Sequence, residues 1–155
     1  MFKMSLFGSS LKVGENAPNF ILNDQDGKQH QLSDYKGKKL VIYFFPKAFT
    51  PGWTKQACGL RDSYSDFASK NISILGVSYD SQNKLARFKE EHSLDFDFLS
   101  DAEKIMGDLY DVNSFYFFPQ RKTFLIDENG ILVHIIDSVN ITSHANDILS
   151  IFKKM

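Results

Sequence analysis

Six consecutive apolar residues, Leu40-Val-Ile-Tyr-Phe-Phe45, run straight into a turn punctuated by proline and glycine and then into a polar stretch with helical spacing, Pro46-Lys-Ala-Phe-Thr-Pro-Gly-Trp-Thr-Lys-Gln-Ala-Cys-Gly-Leu-Arg-Asp62. An unbroken apolar run of this length, rich in branched and aromatic side chains, reads as a strand buried on both faces. Such a strand needs helices above and below its sheet, so the chain is constrained to an α/β architecture built around residues 40–45. The helix that follows is expected to begin just after Gly52. Its first turn presents unpaired N–H groups at the end of the central strand, which favours an anion or a thiolate there.

The rest of the chain supplies partners for that strand. Residues 20–22 and 28–32 flank a turn containing Asp26-Gly27 and are expected to form a hairpin. The helix over residues 54–69 carries Ala57, Leu60, Tyr64, Phe67 and Ala68 at spacings of three and four, an apolar stripe suited to lie on a sheet. A second apolar strand, residues 72–78, follows a full helix and so should run parallel to the first through a right-handed crossover. Ser81 can cap a helix over 82–92. A short extended piece at 96–99, a short helix at 101–110, a hairpin made by 123–127 and 131–136 about Glu128-Asn-Gly130, and a helix from about 143 to 152 complete the order. No repeat or low-complexity tract interrupts it.

With 155 residues, 43% of them hydrophobic, the chain has enough length and apolar content for one domain with a sizeable core. Residues 1–10 read as a flexible tail and 11–155 as the domain. Eighteen basic against nineteen acidic residues leave a net charge of −1, and no Lys/Arg run could track a phosphate backbone, so nucleic acid is not an expected partner. The apolar runs fall far short of the roughly 20 residues a membrane helix needs. The start lacks a sustained apolar stretch of the kind a signal peptide has. A single cysteine, Cys58, excludes an internal disulfide and suits a reducing compartment, and the cytoplasm is expected. His30, His92, His134 and His144 are scattered, without a metal-binding spacing, and are expected at the surface or at helix caps; no metal or cofactor is anticipated.

The segment Pro46-x-x-x-Thr50-x-x-Trp53 resembles the active-site signature of the peroxiredoxins, and its surroundings are similar to the bacterioferritin comigratory protein or PrxQ branch. Val13-Gly-Glu-Asn-Ala-Pro-Asn-Phe20, Phe98-Leu-Ser-Asp101, Arg121-Lys-Thr-Phe-Leu-Ile-Asp127 and His144-Ala145 extend the similarity over nearly the whole chain. The resemblance implies a thioredoxin-like sandwich, a central mixed β-sheet flanked by helices. It also implies a peroxidase acting on hydrogen peroxide or organic hydroperoxides, reduced by a thioredoxin-like or small-thiol partner, as a monomer or weak homodimer. The family's peroxidatic cysteine corresponds to Trp53 and its resolving cysteine to Cys58. By the same resemblance Arg121 and Thr50 would donate hydrogen bonds to peroxide oxygens, and Pro46 would shield the sulfur from bulk water.

An indole has one N–H donor and no group that ionises near neutral pH to act as a nucleophile, so Trp53 cannot replace the thiol. Three readings follow: Cys58 has become the only redox thiol, the chain is a catalytically silent binding or regulatory protein, or Trp53 is an introduced replacement whose reversal to cysteine restores turnover. Five residues along a helix turn Cys58 about 140° from position 53. Arg61, three residues on, is placed to lower its pKa. A bulky Trp53 at the helix start is expected to favour an unwound form that exposes Cys58. Taken singly, each residue has an ordinary role: a lone cysteine as a small buried hydrophobe, Arg121 as a solvated arginine, Pro46, Thr50 and Gly52 as turn residues. The aromatic run Phe115-Tyr-Phe-Phe118 is expected to fold over the core beside the site; exposed, it would instead be a docking or dimer patch.

Overall fold

A computed structural model describes residues 11–113 and 118–155, so the expected tail and most of the 115–118 aromatic run lie outside the described residues. In chain order the elements are β1 (Ile21–Asn23), β2 (Gln29–Gln31), a 3-10 turn (Leu32–Tyr35), β3 (Lys39–Phe44), α1 (Pro51–Asp62), α2 (Tyr64–Ser69) and β4 (Ile72–Ser78). They continue with α3 (Gln82–Glu91), β5 (Asp97–Ser100), α4 (Ile105–Leu109), β6 (Thr123–Ile126), β7 (Leu132–Ile136) and α5 (His144–Lys153). Five strands form one mixed sheet in the order β5-β4-β3-β6-β7, and β1 and β2 form a separate hairpin. The β3–β4 and β4–β5 pairs are parallel, while β6 runs antiparallel to both β3 and β7.

β3 is central, and the alternation of its side chains accounts for its unbroken apolar sequence. Val41, Tyr43 and Phe45 enter one core with Trp53, Ala57, Leu60, Phe88 and Ile148, whereas Leu40, Ile42 and Phe44 enter a second core with Phe20, Met106, Tyr110 and Val112. Both faces of the sheet are therefore dry, which a half-polar strand could not tolerate. Gly76 on β4 faces Tyr43 across the ladder. A Cβ there would come within 2.6 Å of Phe98 Cδ1 and 3.1 Å of Tyr43 Cζ, so the absence of a side chain at position 76 makes room for both rings. Gly130 closes the β6–β7 turn at φ +81°, and Asp127 Oδ1 accepts the N–H groups of Asn129 and Ile131 across it.

Two expectations need correction. The single helix over 54–69 is two helices, broken at Ser63 (φ −100°, ψ 7°), and Ala68 is exposed on α2 rather than packed on the sheet. The first helix also starts earlier, at Pro51 with Thr50 in the capping position. Proline suits a first helical position because its missing N–H has no partner there to lose and its φ is already helical.

Candidate active site

β3 ends where the loop Phe45–Thr50 turns into α1, and two ties hold that loop against the neighbouring strand. Phe45 N–H donates to Val77 O at 3.0 Å. Ala48 N–H donates to Asp80 Oδ2 at 2.9 Å, and the same oxygen takes the Ser78 hydroxyl at 2.8 Å. Phe49 adopts a left-handed backbone, φ 65°, which a non-glycine residue holds only where its surroundings fix it. Its ring meets Phe88 edge-on at 5.1 Å, with the Arg87 guanidinium 5.6 Å from its centroid. Asp80 was not picked out from the sequence, because a lone carboxylate two residues past a strand carries no local signal of a partner 32 positions away.

Thr50 sits at the head of α1. Its carbonyl accepts the Thr54 N–H at 2.9 Å, while its hydroxyl donates to Lys47 O at 2.9 Å. The hydroxyl therefore turns lone pairs outward and must swing away from Lys47 before donating to another group. Pro46 is partly buried in the same loop.

Arg121 approaches the helix start from the far side, its Nη2 only 3.4 Å from where a Cβ on Gly52 would stand. Its Nη1 donates to Gln56 Oε1 at 2.6 Å. Gln56 Nε2 lies 3.1 Å from His144 Nδ1, and His144 Nε2 lies 2.8 Å from Thr123 Oγ1. Gln56, His144 and Thr123 are 1%, 2% and 0% exposed, so this is a buried polar chain joining α1, α5 and β6. Burial lowers the His144 pKa to about 4; the Arg121 charge adds to the lowering and Asp147 opposes it. Burial also lowers the pKa of Arg121, with Tyr43 acting the other way. His144 was expected at the surface or at a cap, and it opens α5 but is buried. Gln56 had a signal that could have exposed this chain: it falls with Trp53, Ala57 and Leu60 on the buried stripe of α1, and a polar residue in such a stripe needs a partner.

Trp53 is completely buried. Its ring stacks on Phe45 at 3.5 Å between centroids and 6° between planes, lies 5.1 Å from Phe88 and 5.2 Å from Tyr43, and meets Phe98 edge-on at 5.5 Å. The expectation that this residue loosens the helix start is wrong. Four rings grip the indole, and α1 is helical from Pro51 onward, so Trp53 anchors the first turn.

Cys58 lies on the same helix but is partly exposed, unlike Trp53. The two side chains therefore point to different surroundings. Arg61, expected near Cys58, directs its guanidinium to His92 O at 2.8 Å and to Asp62 at 3.2 Å. The Tyr43 hydroxyl is buried without a hydrogen-bond partner among the described residues, and it lies within electrostatic reach of both Arg121 and Cys58. Burial raises its pKa far above the usual 10, so it is a neutral phenol with a proton to donate.

Away from this site, Asp24, His30 and Asp97 bring three metal-ligating atoms within 4.8 Å of one another, although Asp97 is far from the other two in sequence. His30 was expected at the surface and is 6% exposed. Its Nε2 is 2.7 Å from Asp24 Oδ2 and its Nδ1 2.7 Å from the Tyr35 hydroxyl. Asp97 Oδ1 receives Lys89 Nζ at 2.8 Å and Gln25 Nε2 at 2.9 Å. With those groups already bonded to one another, the arrangement acts as a latch between the β1–β2 hairpin and β5.

A five-stranded mixed sheet with helices on both faces, a helix start at the end of its central strand and a half-buried arginine over that start define the class of the thioredoxin-like peroxiredoxins. Residues 13–135 match the AhpC/TSA family, and the chain belongs to it. It is 38% identical over 151 residues to peroxiredoxin Bcp of Escherichia coli K12, covering 93% of this chain and 97% of that protein. It is 40% identical over 153 residues to peroxiredoxin Bcp of Bacillus subtilis, covering 94% and 98%. Peroxidoxin BcpB of Mycobacterium tuberculosis superposes with a TM-score of 0.87 at 32% identity over 94% of this chain and 98% of its own. By this kinship the protein is a peroxidase of the Bcp/PrxQ type, a family that implies a peroxide substrate and a thiol reductant. No helix among the described residues is long and apolar enough to cross a membrane.

Proposed function

We propose that this protein reduces hydrogen peroxide and organic hydroperoxides with Cys58 as its redox thiol, Trp53 occupying the position of the peroxidatic cysteine. One observation carries this reading: the only sulfur nucleophile in the chain is partly exposed on the helix whose head Arg121 and Thr50 surround. The Cys58 thiolate attacks one oxygen of the peroxide and the O–O bond breaks. Sulfur gains that oxygen as sulfenic acid, and the second oxygen leaves with the bonding pair and takes a proton to become water or an alcohol. A thiol from a thioredoxin-like protein or a small molecule then displaces water to form a mixed disulfide. A second thiol restores Cys58 and leaves the reductant as a disulfide. Arg121 supplies positive charge at the helix head, towards the developing anion, and Pro46 cover from bulk water.

A second reading is favoured by the seat of Trp53. An indole gripped by four rings fills the space beneath the helix start, as a scaffold without peroxidase chemistry would have it. Consumption of hydrogen peroxide and of a bulky alkyl hydroperoxide, with dithiothreitol or thioredoxin as reductant, separates the two. Turnover that disappears in Cys58→Ser supports the one-cysteine enzyme. Turnover seen only in Trp53→Cys means that the chain is silent and acts through what it binds. A reducing cytoplasm is the compartment in which a single free thiol would serve this role.

A further inference from the structure

The direction of every hydrogen bond in the buried chain Arg121–Gln56–His144–Thr123 follows from its first member. A guanidinium only donates, so the Gln56 oxygen must face Arg121 and its NH₂ must face His144. His144 Nδ1 then has to accept, which fixes the neutral tautomer with its proton on Nε2, donated to Thr123 Oγ1 at 2.8 Å. All of its side chains but the arginine are almost fully buried, so a lost partner leaves a polar group unpaired in a low-dielectric interior.

A proton on Nδ1 reverses the logic. N–H would then face NH₂, and the Gln56 amide could relieve this only by turning over. That turn would aim its NH₂ at the guanidinium and break the 2.6 Å bond that holds Arg121 over the start of α1. We propose that His144 is a positioning residue that acts through Gln56 to hold Arg121 at the helix head, and that protonation of His144 releases it. The charged and titratable groups around the ring are Asp147 on its own helix, Arg121 before β6 and the Tyr43 phenol on β3, whose ring meets it edge-on at 5.8 Å. Gln56 on α1 and Thr123 on β6 are uncharged. Asp147 is tied to the Ser143 hydroxyl at 2.9 Å, so the one carboxylate near the ring is already engaged. The placement of Arg121 rests on this geometry alone, while its effect on peroxide chemistry rests on the one-cysteine reading above.

The test is a pH titration followed by ¹⁵N nuclear magnetic resonance of the full chain, reading the His144 ring nitrogens and the Arg121 side-chain N–H signals together. The expected result is an Nε2-protonated ring at neutral pH and an exchange-protected Arg121 signal that is lost in step with His144 protonation. His144→Asn, whose amide oxygen can accept from Gln56 but cannot take up a proton, is expected to keep the Arg121 signal protected at every pH. His144→Phe is expected to lose it at every pH. Gln56→Glu tests the directional logic without acid: a carboxylate accepts from both neighbours, so His144 should carry Nδ1–H, titrate at higher pH and leave the Arg121 signal protected as it does so. An Nδ1-protonated ring in the unmodified chain at neutral pH, or an Arg121 signal indifferent to His144 protonation, overturns the proposal. The rate of Cys58 oxidation by hydrogen peroxide, taken as the ratio of the unmodified chain to His144→Asn, cancels the ionisation of the thiol itself. This ratio should fall as His144 becomes protonated. Coupled signals with a flat ratio uphold the relay and count against the peroxidase reading, so the two failures are told apart.

Discussion

At the scale of single residues, one helix carries a fully buried Trp53 and a partly exposed Cys58. Trp53 contributes a large apolar surface at the crossing of β3, α1 and α3, against Phe45, Phe88 and Phe98. Trp53→Ala should therefore destabilise the protein by about 3–5 kcal/mol, measured as a lower midpoint in urea with an unchanged slope. Trp53 is also the only tryptophan, so its fluorescence reports this seat directly. A buried indole whose Nε1 has no partner among the described residues should emit at short wavelength and resist aqueous quenchers. Long-wavelength, easily quenched emission would mean that the helix start is open. The sequence showed that no thiol stands at position 53 but could not show where the ring goes. A bulky residue at a helix start either props the turn open or plugs the core beneath it, and only the positions of Phe45, Phe88 and Phe98 decide between them.

At the scale of elements, the central strand was legible because burial on both faces leaves no room for polar residues. The parallel β3–β4 crossover followed from the helical length between the strands. The break at Ser63 was not legible: the apolar spacing continues through Tyr64 and Phe67 as though one helix ran on, and nothing local marks the change of axis. The junction of α1, α5 and β6 was equally hidden, since Gln56, Arg121, Thr123 and His144 meet only in three dimensions. This junction gives the fold a pH dependence of definite sign. Because burial lowers the His144 pKa from 6.5 to about 4, the unfolded chain binds more protons than the folded one between those values. The His144 contribution to stability is thus complete above about pH 6.5 and is lost as the pH falls towards 4, by up to roughly 3 kcal/mol. Urea unfolding at neutral and acid pH should show a smaller acid loss in His144→Asn than in the unmodified chain; equal losses would place the linkage elsewhere. On β4, Gly76→Ala should cost about 1–3 kcal/mol by forcing Phe98 and Tyr43 aside.

At the scale of the whole molecule, the sheet, the strand-to-helix junction and the family kinship were all readable, because sequence motifs and strand periodicity are local in the chain. The supports that tie distant parts together were not. His30, one of four scattered histidines, reads from the sequence as a surface or cap residue, yet it pins the first hairpin to β5 through Asp24 and the neighbouring Asp97. Replacing His30 with alanine leaves the buried Asp24 carboxylate without that partner, and a loss of about 1–3 kcal/mol is expected, with faster hydrogen exchange confined mainly to the β1–β2 hairpin. Uniformly unchanged exchange would show that the latch carries no weight.

The proposed peroxide reactivity of Cys58 is probed by following its oxidation with stoichiometric hydrogen peroxide by intact mass, in the native protein and in the same protein unfolded in urea at equal pH. If the fold activates this thiol, one oxygen atom is gained faster in the native state, with no gain in Cys58→Ser. A native Cys58 that reacts no faster than the unfolded one means that the fold does not activate it.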